Sequence, residues 1–284
     1  MIGKYMVALV TPFTSGNTVD VKALKELVIR LLQDGVDGFI VCGTTAEVCT
    51  LSMEERLLIV DTVIETVAER AAVWVGCGTN CTRQSYFYMQ SVEQKAIDGI
   101  LLVVPYYNRP SQEGMYQHFY YLAHHTKHPI MLYNVPKRTG AKLENETIER
   151  LIENCENVVV LKQACSDFSI CHSNVVKEHN FKVLSGDDGL LLECLQNGGY
   201  GIVSVLGHIV NHKIKKIIDA YDREVCLYED DKELKKMSDV VFKESNPCGI
   251  KYLLAKKGLI NIFVRLPLVE VSDATKVVID MYFD

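Results

Sequence analysis

Along the chain, short apolar runs recur at fairly even spacing, separated by stretches whose apolar positions repeat with a helical period. The runs are YMVALV from Tyr5, GFIVCG from Gly38, AVWVGCG from Ala72, GILLVVPYY from Gly99, PIMLYNVP from Pro129, VVVLKQA from Val158, FKVLSGDD from Phe181 and GIVSVLG from Gly201. Runs that are apolar throughout, rather than alternating, predict strands covered on both faces. Between the first two, Leu24, Leu27, Val28, Leu31 and Leu32 follow the i, i+3, i+4, i+7, i+8 spacing of an amphipathic helix. Ser52 followed by Glu55 reads as a capping box that opens a helix running toward Arg70. Eight β-α units with no long polar linker predict a (β/α)8 TIM barrel rather than an open doubly wound sheet. Past about Asp222 the strand signals stop, and VCLYEDDKELKKMSDVVF and, after a break at SNPCG, IKYLLAKKG read as helices. The expected organisation is an α/β barrel over 1–224 that carries the chemistry, followed by a small helical carboxy-terminal domain over 225–284.

Composition narrows the partners. With 48% hydrophobic and 23% charged residues in 284, the chain can bury a large core and is not a disordered sequence. A formal net charge of -6 gives no basic footprint, so nucleic acid and anionic membrane surfaces are not expected partners, and any anionic ligand must be attracted locally. The amino-terminal MIGKYMVALVTPF is stopped by Pro12 before it reaches the length of a signal peptide, and no run approaches the roughly 18 apolar residues of a membrane span. Ten cysteines show no C-x-x-C spacing and read as reduced, mostly buried thiols of a cytosolic protein. Cys77 and Cys81 in CGTNC lack neighbours to complete a metal site, and the two aspartates of SGDD point different ways on a turn. Neither a G-x-G-x-x-G, a P-loop, a G-x-S-x-G elbow nor an H-E-x-x-H stands in the chain, and no cofactor or metal is expected.

In a barrel the site is built at the carboxyl ends of the strands. Polar chemistry concentrates there: Gly43-Thr44-Thr45, Tyr106-Tyr107-Asn108, Tyr133-Asn134, Lys162, and Ser185-Gly186-Asp187-Asp188. Lys162 is the most telling. Strand alternation sets Val158, Val160, Lys162 and Ala164 on one side, the barrel interior, where desolvation lowers an amine's pKa and makes it a nucleophile toward carbonyls. The ordinary alternative is a lysine reaching past the strand end to pair with an acid. Tyr133, in LYNVP, packs like most such tyrosines unless its hydroxyl shuttles protons for an imine-forming lysine. The turn Gly43–Glu47, GTTAE, offers two hydroxyls and successive backbone N–H groups to a carboxylate, though most Thr-Thr pairs after strands simply make turns. Arg138, in PKRTG, can grip a carboxylate through its planar fork or lie solvated in a loop.

Taken together, VTPF from Val10, GTTAE, PYYNRPSQEGMYQHF, LYNVPKRTG, VVVLKQA, LSGDD and ESNPCGIKYLLAKKG resemble the dihydrodipicolinate synthase and N-acetylneuraminate lyase family of pyruvate-dependent class I aldolases, over nearly the whole chain. The resemblance implies an imine between Lys162 and pyruvate, an enamine, and its attack on the aldehyde of aspartate semialdehyde to give a heterocycle for diaminopimelate and lysine synthesis. It implies a proton relay of Tyr133, Thr44 and Tyr107, with Tyr107 donated across a subunit interface. It sets Thr44 and Thr45 on the pyruvate carboxylate, Arg138 on that of the acceptor, and Gly186 and Val203 along the site, in a homotetramer of tight dimers. Arg138 favours an acceptor that brings its own carboxylate over a sugar. A sugar-acid or N-acyl-sugar aldolase and a non-catalytic ligand-binding paralogue are the alternatives, and a binding module has no need of Lys162.

The chain also departs from the family pattern. Ala46 replaces the usual second glycine of the turn, so that residue must avoid positive φ or accept strain. Gln163 stands where glutamate is common and is expected to face away from Lys162. Members that sense lysine bind it with positions matching Asn80, Gln84 and Tyr106. Gln84 replaces an acid there, and Met53 and Arg56 stand where histidines often occur, so the counter-charge for a lysine ligand is missing.

Overall fold

The computed structural model describes residues 2–223 and 228–283. Eight strands, β1 (Tyr5–Ala8), β2 (Gly38–Val41), β3 (Ala72–Gly76), β4 (Gly99–Val103), β5 (Ile130–Asn134), β6 (Val158–Gln163), β7 (Lys182–Ser185) and β8 (Gly201–Ser204), close into a barrel in chain order. Every one falls on an apolar run picked out above. The pairings β1 with β2 and β3 through β8 are parallel. Nearly every strand residue is buried, which is why the runs carry no alternation.

The helices between strands are α1 (Val21–Gln33), α2 (Met53–Val67), α3 (Thr82–Val92), α4 (Gln112–Ala123), α5 (Pro136–Thr139), α6 (Asn145–Asn154), α7 (Asn174–Glu178) and α8 (Leu191–Gln196). α1 buries Leu24, Leu27, Val28 and Leu31, as its spacing predicts, and Asp20 caps it by accepting from the Ala23 N–H at 3.0 Å. α2 opens with the expected capping box: Ser52 Oγ accepts from Glu55 N at 3.2 Å and Glu55 Oε2 accepts from Ser52 N at 3.0 Å. After β8 come α9 (Asn211–Tyr221), α10 (Tyr228–Val241), α11 (Cys248–Lys256) and α12 (Asp273–Phe283). The expected domain boundary at 224/225 lies outside the described residues.

By its contacts the chain forms two compact units, 1–4 with 74–203 and 5–73 with 204–284. In the first, the register lines up Val103, Tyr133, Lys162 and Leu184 across β4 to β7, with Asn134, Gln163 and Ser185 in the next row. In the second, β1 is fastened to the segment after β8. The Tyr5 hydroxyl bonds the Asn211 side chain, and Val10 N donates to His208 Nε2 at 3.3 Å. Among the described residues, no helix is long and apolar enough to cross a membrane.

Candidate active site

Lys162 and Tyr133 face each other across the β5/β6 register. Lys162 is 5% exposed and Tyr133 6%, and the lysine Nζ stands 4.4 Å from the tyrosine ring centroid. The expectation that Lys162 turns inward, rather than out past the strand end, therefore holds. Desolvation pushes its pKa from 10.5 down to about 8; Asp188 and Asp187 act against that fall, and the Arg138 charge adds to it. At pH 7 about one amine in ten is then neutral, against roughly one in three thousand at the ordinary value.

The residues around this amine come from the two loops that follow β5 and β7. Gly186 is needed for space: a Cβ there would stand 2.9 Å from Lys162 Cγ and Cε and 2.9 Å from Ala164 Cβ. Asp188, 1% exposed, brings a carboxylate to the lysine that the sequence reading had left on a turn. Asp187 does behave as a turn residue, its Oδ1 accepting from Gly189 N at 3.0 Å. Arg138 sits in α5, which starts on Pro136 and is capped by Gly140 at φ 69; it is exposed yet close enough to act on Lys162. Val203, on β8, is buried. Tyr107 differs from all of these: at φ 72 it projects from the chain, 90% exposed.

Behind the lysine, on the other face of the strands, Gln163 is fully buried. Its Oε1 accepts from Asn134 Nδ2 at 3.0 Å, its Nε2 donates to Asp167 O at 2.6 Å, and Asn134 Nδ2 also reaches Leu143 O at 3.1 Å. The amide donates and accepts at once, which a carboxylate cannot do.

Thr44 and Thr45 belong to the second unit, in a 3-10 turn spanning Thr44–Ala46. Ala46 avoids positive φ; the left-handed residue is Glu47, at φ 56 and ψ 37. Thr11 Oγ1 donates to Ala46 O at 2.8 Å. Asn246 Nδ2 donates to Thr45 Oγ1 at 2.9 Å, which occupies that oxygen as an acceptor and leaves its hydrogen to donate elsewhere. Glu47 and Lys251 form an ion pair with both side chains fully buried. The sequence reading assigned nothing to Asn246 or Lys251, although both stand in the ESNPCGIK stretch. A lysine at a buried position of a helical period was the available signal. At the positions matching a lysine site, Asn80 O accepts from Asn108 Nδ2 at 2.8 Å, Gln84 is exposed and Tyr106 half-buried. Among the described residues no group of acidic, histidine and cysteine side chains could hold a metal ion.

A parallel eight-stranded barrel that keeps a lysine amine dry and partly neutral at a strand end belongs to the class of barrels that do carbonyl chemistry. Comparison with known proteins is specific within that class. The dihydrodipicolinate synthetase family model matches residues 1–281. A 4-hydroxy-tetrahydrodipicolinate synthase of Azobacteroides pseudotrichonymphae is 42% identical over 279 residues, 95% of this chain and 92% of that one. The protein of the same name from Bacillus subtilis is 39% identical, over 95% of this chain and 94% of its own. A crystal structure of a dihydrodipicolinate synthase from Bacillus anthracis superposes with a TM-score of 0.93 at 34% identity, covering 99% of this chain and 98% of that one. The chain belongs to the dihydrodipicolinate synthetase family.

Proposed function

We propose that the chain is a Schiff-base aldolase that condenses pyruvate with aspartate semialdehyde to 4-hydroxy-tetrahydrodipicolinate, on the route to diaminopimelate and lysine. The observation that carries this reading is the buried, partly neutral Lys162 beside Tyr133 in a member of this family. The neutral amine adds to the pyruvate ketone and loses water to give an iminium. Loss of a methyl proton gives the enamine, whose carbon bonds to the aldehyde carbon while the aldehyde oxygen takes a proton. The acceptor's own amine then attacks the iminium carbon, closes the ring and releases Lys162.

In this reading Tyr133, Thr44 and Tyr107 move the protons, and the Thr44–Thr45 turn holds the pyruvate carboxylate. Arg138 holds the acceptor carboxylate, and Gly186 and Val203 bound the site. Exposure of Tyr107 at 90% supports its use by another subunit, in a homotetramer of dimers. The barrel over 1–224 is the catalytic domain and 225–284 the helical appendage. Nine cysteines among the described residues that form no disulfide fit a cytosolic enzyme. Asn80, Gln84 and Tyr106 match the positions at which lysine-sensing members of the family bind lysine, and Gln84 offers a ligand ammonium no counter-charge, which argues against feedback inhibition by lysine. The test is steady-state condensation of the two substrates, coupled to a reductase that consumes the product. Turnover saturating in both is expected; pyruvate trapping by borohydride without turnover would move the acceptor to sugar-derived aldehydes, and neither would remove the reading.

A further inference from the structure

The Glu47–Lys251 pair is the most deeply buried ion pair among those described, with both side chains at 0% exposure. Its geometry is that of a tether. Glu47 Oε1 accepts from Lys251 Nζ at 2.5 Å, and Glu47 Oε2 accepts from the Arg265 backbone N–H at 2.8 Å. Lys251 Nζ also donates to Phe263 O at 2.8 Å. Arg265 is held in turn: its guanidinium makes a two-point bond to Glu55, at 2.7 and 2.5 Å, and donates to Thr50 O at 3.0 Å. The Phe13 ring lies under both cations, 4.2 Å from Lys251 Nζ and 4.3 Å from Arg265 Cζ. Both oxygens of one carboxylate are thus tied to two different carboxy-terminal segments.

Two physical arguments say what this is for. A fully buried ion pair adds little net stability, because desolvation of two charges offsets their attraction; what it supplies is fixed geometry. And Glu47 is the residue of the turn held in the left-handed region, a conformation that is strained for a non-glycine residue and persists only where the surroundings impose it. The two residues directly before Ala46 and Glu47 are Thr44 and Thr45.

We propose that Glu47 and Lys251, with Arg265, are positioning residues for the reaction: they hold the 44–47 turn in the conformation in which Thr44 and Thr45 meet the pyruvate carboxylate. This rests on the function proposed above. Without the tether Glu47 relaxes to an ordinary φ and the two threonines swing with it. A displacement of about 1 Å in such a binding group costs on the order of a hundredfold.

The test is the variant carrying Glu47→Gln and Lys251→Met together, which removes both charges at similar volume and leaves neither one buried alone. The readout is the pyruvate concentration that half-saturates borohydride trapping on Lys162, with the KM for the acceptor measured alongside. The expected result is a folded protein whose pyruvate half-saturation rises about tenfold or more, with acceptor KM within about twofold of the parent and full trapping at high pyruvate. A merely structural pair would move both substrates together or neither, and either pattern in the folded variant overturns the proposal. Should the double variant not fold, Glu47→Gln alone is read the same way: its single amide oxygen can accept from Lys251 or from the Arg265 N–H but not from both, so the tether is broken at one end. A parent protein that fails to trap pyruvate would remove the proposed function and this inference with it. A parent that traps normally beside an unaltered variant would remove this inference alone.

Discussion

At the scale of single residues, the reactivity proposed for the chain rests on where burial puts the Lys162 titration. Its pKa of about 8 means that imine formation rises with pH as the amine loses its proton and levels off above about pH 8. The expected pH profile of initial trapping rates, at pyruvate well below saturation, has its rising limb near 8; a midpoint above 10 would show that the amine is not desolvated. Lys162→Ala is expected to abolish trapping altogether, and peptide mapping of the parent to place the reduced adduct on Lys162. Arg138 tests a different contact. It is exposed and lowers the Lys162 pKa, so Arg138→Ala removes both a carboxylate grip and a nearby positive charge. The expected outcome is an acceptor KM raised about tenfold, as fits a bidentate ion pair to an exposed guanidinium, with pyruvate KM changed by less than about threefold. Steady-state kinetics with each substrate varied would check this, and equal effects on both would argue against the role.

Elements, rather than residues, decide why Gln163 is an amide. β5, β6 and the loop after β6 are joined through it, because it accepts from Asn134 and donates to Asp167 O in a site without solvent. Gln163→Glu puts a carboxylate oxygen against that carbonyl, and it stays tolerable only when protonated. The expected cost is about 1 to 3 kcal/mol at pH 8 and less at pH 5, read as a loss in melting temperature that narrows on acidification. A loss independent of pH would show that packing, not the proton, matters there. The same comparison says what was legible beforehand. All eight strands could be read because strands buried on both faces announce themselves by composition, and α1 and α2 by period and cap. The inward turn of Lys162 followed from strand alternation. Asp188 was not legible, because a carboxylate after a strand end is as often on a turn, and only the path of the β7 loop brings it to the lysine. Lys251 was hidden more thoroughly: its place on the buried side of a helical period signals burial, but its partner is 204 residues away and nothing local names it.

For the molecule as a whole, acid acts on two histidines whose pKa burial holds near 4, His118 and, more deeply buried, His208. The His208 side chain is fully buried where the exit of β1 meets the segment after β8. Its Nε2 accepts from Val10 N and its Nδ1 donates to Val205 O at 2.8 Å, a pattern that only the neutral ring can satisfy. Burial pushes its pKa down from 6.5 to about 4, with the Arg30 charge adding to the fall and the Val205 bond opposing it. Above pH 6.5 the ring is neutral in both folded and unfolded chains, and its contribution to stability is fully present. As the pH falls from 6.5 through 4, the unfolded chain takes up a proton that the folded one refuses, and stability is lost. Between pH 7 and 5 the loss from this one group is about 2 kcal/mol. Carboxylates held below their ordinary range, such as Glu55, add to the loss mainly at lower pH still. Thermal melting at pH 7 and pH 5 is therefore expected to differ by several degrees. In His208→Gln, whose amide can also accept from Val10 and donate toward Val205, the melting temperature should start lower at pH 7 and change less between the two, the slope that remains resting with His118. An unaltered pH slope in that variant would assign the acid sensitivity elsewhere, and would mean that the β1 exit is not the point at which protons open the fold.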